Sequence, residues 1–253
     1  STTTSTATFT MSGGSITGNK AKQYGGGVYV GETGTFELTG GEITGNTSQT
    51  AGGGVYAADS STFKMSGGSI TGNTSDVIGG GVYVVGGKFT MSNGSITGNK
   101  AKQYGGGVDV ASGSKFIMSN GSISGNTSKT YGGGVYVAGN GTFEMTGGSI
   151  TGNMADKNGG GVNVTGSVST GGVFKMSGGR ITGNNTSYDG GGVYVGENNT
   201  TFTVSGEVQI TGNWKNGTLG ADGLYGKGDS GTKNNVLLTG SGNQYDTSNY
   251  ATI

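Results

Sequence analysis

A unit reading Phe-x-Met-Ser-Gly-Gly-Ser-Ile-Thr-Gly-Asn, then six residues, then Gly-Gly-Val-Tyr-Val, recurs with small changes along most of the chain. All eight phenylalanines belong to it: Phe9, Phe36, Phe63, Phe89, Phe116, Phe143, Phe174 and Phe202, spaced 27, 27, 26, 27, 27, 31 and 28 residues apart. A unit of this size cannot bury an apolar face alone and must stack on its neighbours, so the period predicts a solenoid.

Within one unit the apolar residues alternate. Phe63-Lys64-Met65, Ser69-Ile70-Thr71 and Val82-Tyr83-Val84 each place apolar side chains two residues apart or between polar ones, with glycine-rich turns separating the segments. Period-two alternation broken every few residues by glycine reads as three short strands and excludes helix. Three strands per unit with no helix between them predict an all-β parallel β-helix of about eight coils, each strand pairing with its equivalent about 4.8 Å along the axis. The repeat domain spans residues 1–213, and residues 214–253 are expected to form an irregular cap continuous with it, with a last strand over Val236–Leu238.

Aligned units turn each inward position into a ladder. Phenylalanine forms one, methionine another (Met65, Met91, Met118), isoleucine a third (Ile43, Ile70, Ile96), and the two valines of Val-Tyr-Val the rest. About five inward residues per coil, each worth roughly 1.5–3 kcal/mol when buried, make a core for a chain that looks polar. Asn19, Asn46, Asn73 and their equivalents through Asn213 end each Ile-Thr/Ser-Gly-Asn segment. Gly-Asn suits a bend with positive φ, and stacked asparagines bond amide to amide. The Gly-Gly-Gly triplets read as sharp corners; a phosphate-binding loop would need a helix directly after them, and Val-Tyr-Val follows instead. The longest insertion, Gly166–Gly172, is expected to bulge as a surface loop between the sixth and seventh coils.

Composition removes several chemistries. There is no cysteine and no histidine, hence no disulfide framework, no thiolate metal site and no imidazole base. Fourteen basic and fourteen acidic residues leave no net charge, so no nucleic-acid footprint is expected. No run of about twenty apolar residues is present, so no membrane-inserted helix is expected. Residues 1–8 lack the charged and apolar regions of a secretion signal. No cofactor or metal is called for.

Ile70-Thr-Gly-Asn73, a short gap, then Gly80-Gly81-Val82 resembles the repeat of the polymorphic membrane protein family, a Phe-x-x-Asn tetrapeptide followed by Gly-Gly-Ala-Ile. Ile70 takes the family's phenylalanine position and Asn73 its asparagine. The resemblance covers roughly residues 9–213. The Met-Ser-Gly-Gly-Ser-Ile-Thr-Gly-Asn run is also similar to repeats in large exported surface proteins of gut-type Gram-positive bacteria. Both resemblances imply a right-handed β-helix displayed outside the cell, commonly as an adhesin. Within these residues no membrane-anchoring barrel, sorting signal or known ligand-binding motif is visible, so the adhesive role is what the resemblance implies.

Parallel β-helices also host polysaccharide lyases and hydrolases, which need clustered carboxylates or a carboxylate-bound cation with a basic proton acceptor. Here Arg180 is the sole arginine, and Asp76, Asp109, Asp156 and Asp189 are scattered. Glu37, Lys64, Glu144 and Lys175 share one outward column and read as a solvated, charge-mixed face. The Ser/Thr ranks flanking each isoleucine are interrupted by Glu42, Arg180 and Gln209, which fits an ordinary wet β-surface. Tyr29, Tyr56, Tyr83, Tyr136 and Tyr194 occupy the outward position between the paired valines, with Asp109 and Asn163 breaking the column. Such a column either clads the sheet or offers a surface for a glycan or a host surface protein. Met11–Val30 and Met91–Val110 differ at two positions only, the mark of a duplicated three-coil block. The sequence therefore leads to a non-catalytic extracellular surface module, an adhesin or rigid stalk. A subunit that self-associates end to end, or a polysaccharide-cleaving β-helix enzyme, are the alternatives.

Overall fold

The computed structural model describes residues 6–196 and 199–219, together with 225–226, 232–233, 235–238 and 251–252. Every regular element among them is a strand, and the chain winds as a parallel β-solenoid of about eight turns of roughly 27 residues, as its period predicts. In the third coil the strands are Thr62–Met65, Ser69–Thr71, Thr74–Ser75 and Val82–Val85. Each meets its equivalent one coil on: Phe63 opposite Phe89, Ile70 opposite Ile96, Thr74 opposite Lys100, Val82 opposite Val108. Three of these strands are the expected ones. The fourth, two residues long after the asparagine, has too few positions to show alternation in the sequence. The first two columns merge into one sheet because some coils run extended through both, as in Thr35–Thr44 and Val173–Thr182, so three sheets wall the solenoid.

The ladders fill the interior. Phe36 through Phe174 are at most 1% exposed, and successive rings stack at 4.5–5.2 Å within 15° of parallel. The strand spacing of about 4.8 Å is also a comfortable ring-stacking distance, so the coil repeat satisfies sheet and core together. The methionine, isoleucine and paired-valine ladders from the second coil to the seventh are equally buried.

Asparagine makes a polar ladder inside this apolar one. Asn46, Asn73, Asn99, Asn126, Asn153, Asn184 and Asn213 are all inaccessible to solvent. The backbone N–H and Nδ2 of each donate to Oδ1 of the next, as Asn73 does to Asn99 at 2.9 and 3.0 Å. The second Nδ2 hydrogen reaches back to the isoleucine carbonyl of the coil before, as from Asn73 to Ile43 at 2.8 Å. Both donors and both lone pairs of the carboxamide are thereby used, which is what allows it to be buried without penalty. The ladder continues from Asn213 to Asn235.

The corner at Gly79-Gly80-Gly81 needs glycine three times for three reasons. Gly79 has φ of 61°; a Cβ on Gly80 would lie 2.5 Å from the carbonyl oxygen of Gly106; one on Gly81 would lie 3.0 Å from Asn99 Nδ2. The insertion is absorbed as expected: Phe143 still faces Phe174, and the extra residues form a loop closed by an antiparallel bridge between Gly166 and Gly171, with Val168 89% exposed. Val236–Leu238 pairs in parallel with Val193–Val195, the anticipated last strand. Most of the cap expected over residues 214–253 lies outside the described residues.

Candidate functional site

The Val-Tyr-Val strands turn both valines into the core and the central residue outward. Parallel register then lines up Tyr29, Tyr56, Tyr83, Asp109, Tyr136, Asn163 and Tyr194 on one face. Tyr29 is 56% exposed, whereas Tyr56, Tyr83, Tyr136 and Tyr194 are half-buried. Their ring faces turn along the axis toward one another: Tyr29 stacks on Tyr56 at 5.2 Å, and Tyr56 meets Tyr83 at 5.3 Å and 40°. What the stacked part of the column offers to solvent is therefore mainly ring edges and hydroxyls.

A second row, not singled out in the sequence, joins this face. Tyr24, Ala51, Ile78, Tyr104 and Tyr131 line up at the corner before each Gly-Gly-Gly. Tyr24 leans onto Tyr56 of the next coil (4.7 Å between centroids), and Tyr104 onto Tyr136 of its next coil (4.8 Å). The signal was present in the duplicated Gln-Tyr-Gly-Gly-Gly, but only the corner geometry shows that its tyrosine reaches forward.

The two short residues in the column are not outward in any useful sense. Asp109 and Asn163 are each 2% exposed, lying below the level of their taller neighbours. Asp109 Oδ1 has no hydrogen-bond partner, and burial pushes its carboxyl up to about 8. Burial, and after it the Asp109 charge, raises the phenols of Tyr83 and Tyr136 well above their usual range. Asn163 Nδ2 donates to the Asn158 carbonyl at 3.3 Å. Beside it opens a cleft of about 280 Å³, walled by Tyr131 and Tyr194 and lined by Asn158, Asn163 and Thr165.

Ten charged groups along the rod form ion pairs between neighbouring coils. Lys64 bridges to Glu37 at 2.9 Å, Lys115 to Glu144 at 2.8 Å, Lys102 to Asp76 at 2.9 Å, Lys129 to Asp156 at 3.1 Å and Lys215 to Asp189 at 3.2 Å. Lys175 lies in register with Glu144, and Arg180 between Ser149 and Gln209. Among the described residues no three carboxylates gather where they could hold a metal ion, and no helix is long and apolar enough to cross a membrane.

No curated protein and no solved structure matches the chain. The model of one family, described as right handed beta helix region, matches residues 4–173, more than half of the chain. With the parallel coils, the stacked core and this match in agreement, the chain belongs to the right-handed β-helix family.

Proposed function

We propose that this chain is a non-catalytic display module of the extracellular surface, of the polymorphic membrane protein type, holding an aromatic strip rigidly for a glycan or a host surface protein. The observation that carries this reading is the patch made by Tyr24, Tyr29, Tyr56 and Tyr83 over the first three coils. Its rings brace one another at 4.7–5.3 Å, yet Tyr24 and Tyr29 remain 40% and 56% exposed. Rigid aromatics with hydroxyl rims contribute contact area at little entropic cost, which favours recognition. The scaffold supports the same reading, because the asparagine ladder fixes each coil on the next beneath the strip. Replacing Tyr29, Tyr56 and Tyr83 together with serine is expected to remove binding on a glycan and matrix-protein panel. The variant should keep the far-UV circular dichroism of the parent. Unchanged binding would show that the rings are cladding.

A further inference from the structure

The turn after each inward methionine reads Gly-Gly in most coils, as at Gly67-Gly68 and Gly147-Gly148, but Asn93-Gly94 and Asn120-Gly121 in the fourth and fifth. An asparagine before glycine can close to a succinimide, because glycine has no side chain to hinder attack by its own amide nitrogen. The chain holds five such pairs, at Asn93, Asn120, Asn140, Asn158 and Asn216. The structure sorts them by the state of the attacking nitrogen. Gly141 N–H donates to the Ala138 carbonyl at 2.8 Å, Gly159 N–H to the Asp189 carbonyl at 3.0 Å and Gly217 N–H to Asn185 Oδ1 at 2.7 Å. The N–H groups of Gly94 and Gly121 have no acceptor among the described residues, and the carboxamides beside them have no partner there either. Asn93 and Asn120 are exposed. Exposure alone does not separate the five, since Asn140 and Asn216 are exposed too.

We propose that Asn93 and Asn120 form a paired modification site, where the folded chain deamidates and turns two neutral turns on neighbouring coils acidic. The Gly94 nitrogen gives its proton to hydroxide and bonds to Asn93 Cγ. The Cγ–Nδ2 bond then breaks, and ammonia leaves with a proton taken from water, which returns the hydroxide. Water opens the ring at either carbonyl. Cleavage between Cγ and the ring nitrogen leaves aspartate; cleavage at the α-carbonyl leaves isoaspartate, with the main chain running through Cβ and Cγ. Gly121 attacks Asn120 in the same way. The glycines of these pairs are imposed by the fold: Gly94 has φ of 98°, and a Cβ on it would lie 2.6 Å from Met65 Cε. The asparagines are not, because other coils place glycine there. The two turns stack, since a Cβ on Gly121 would lie 2.8 Å from the Gly94 carbonyl oxygen. The new carboxylates would therefore face each other about one strand spacing, roughly 4.8 Å, apart. Each adds a negative charge to a chain with no net charge, and like charges so placed repel.

The test is to age the full chain, folded and guanidinium-unfolded, side by side at pH 8 and to map both with trypsin and mass spectrometry. Peptides Phe89–Lys100 and Phe116–Lys129 carry the two sites, and Asn99 and Asn126 of the buried ladder serve as controls within them. In the folded chain Asn93 and Asn120 are expected to convert first. Asn140, Asn158 and Asn216 should be slower by about tenfold or more, because a hydrogen bond must break before their glycine nitrogens can attack. In the unfolded chain all five should convert at similar rates. The double variant Asn93→Gly, Asn120→Gly restores the residue of the other coils. It should keep the far-UV circular dichroism of the parent and lose the acidic drift on isoelectric focusing, whereas Asn140→Gly should drift as the parent does. Three results would each overturn the proposal: Asn140, Asn158 or Asn216 converting as fast as Asn93 in the folded chain; no conversion of Asn93 and Asn120 while the unfolded chain converts; or an acidic drift that survives the double variant.

Discussion

Asn126 accepts from the backbone and side-chain amides of Asn99, and donates to Asn153 Oδ1 and the Ile96 carbonyl, all at 2.9–3.0 Å. Truncation to alanine leaves several buried groups unpaired at once. Asn126→Ala is therefore expected to cost about 3–5 kcal/mol in urea unfolding. Buried hydroxyls on the same rod behave oppositely. Ser48 Oγ and Ser128 Oγ are buried without partners, so Ser48→Ala and Ser128→Ala should leave stability unchanged or raise it by up to about 1 kcal/mol. Asp109 is the costly exception in the tyrosine column. Its carboxyl titrates near 8 in the folded chain and near 3.9 when unfolded. Between those values the native state keeps a proton that the unfolded state has released, so stability falls as pH rises from about 4 to about 8. Asp109→Asn should remove that part of the slope and add about 2–4 kcal/mol at pH 7. Melting both proteins at pH 5 and pH 8 checks this; parallel slopes would mean the carboxyl is already ionised in the native state. The Asn163 side chain at the equivalent position shows that the column accepts a carboxamide.

At the scale of the element, the corners and turns separate two demands that a sequence writes with the same letter. Gly72 has φ of 62° and open space where a Cβ would go, whereas Gly80 has no such φ but a Cβ there would press on the carbonyl oxygens of Lys100 and Gly106 at 2.5 Å. Gly72→Ala is expected to cost about 1–2 kcal/mol, the usual penalty for a left-handed alanine. Gly80→Ala has to push two coils apart and should cost more, enough to lower the denaturation midpoint further than Gly72→Ala does. Periodicity made the three longer strands legible because each carries an inward residue at a fixed offset from glycine. The two-residue strands Thr74–Ser75 and Lys100–Ala101 carry one inward residue each, and one residue has no period. The tyrosine column was legible on the same grounds. The reach of Tyr24 and Tyr104 across to the next coil, and the cleft beside Asn163, depend on how corners lean, which no spacing encodes.

For the molecule as a whole, near-identical coils imply that length is a free variable. Excising residues 90–116 joins Phe89 to Ile117 and deletes one period of the phenylalanine ladder. The shortened chain is expected to fold with the same circular dichroism and a lower melting temperature, because each coil contacts only its neighbours. Failure to fold would mean that the coils are not interchangeable. The asparagine ladder adds a restriction on how such coils are joined. From Asn19 to Asn213 each side-chain oxygen after the first accepts from the coil before it, so the carbonyls all point the same way. The rod thus has a head and a tail at the level of individual dipoles. A coil grafted in reverse would set oxygen against oxygen, so any chain extending this ladder must add its coils in the same sense.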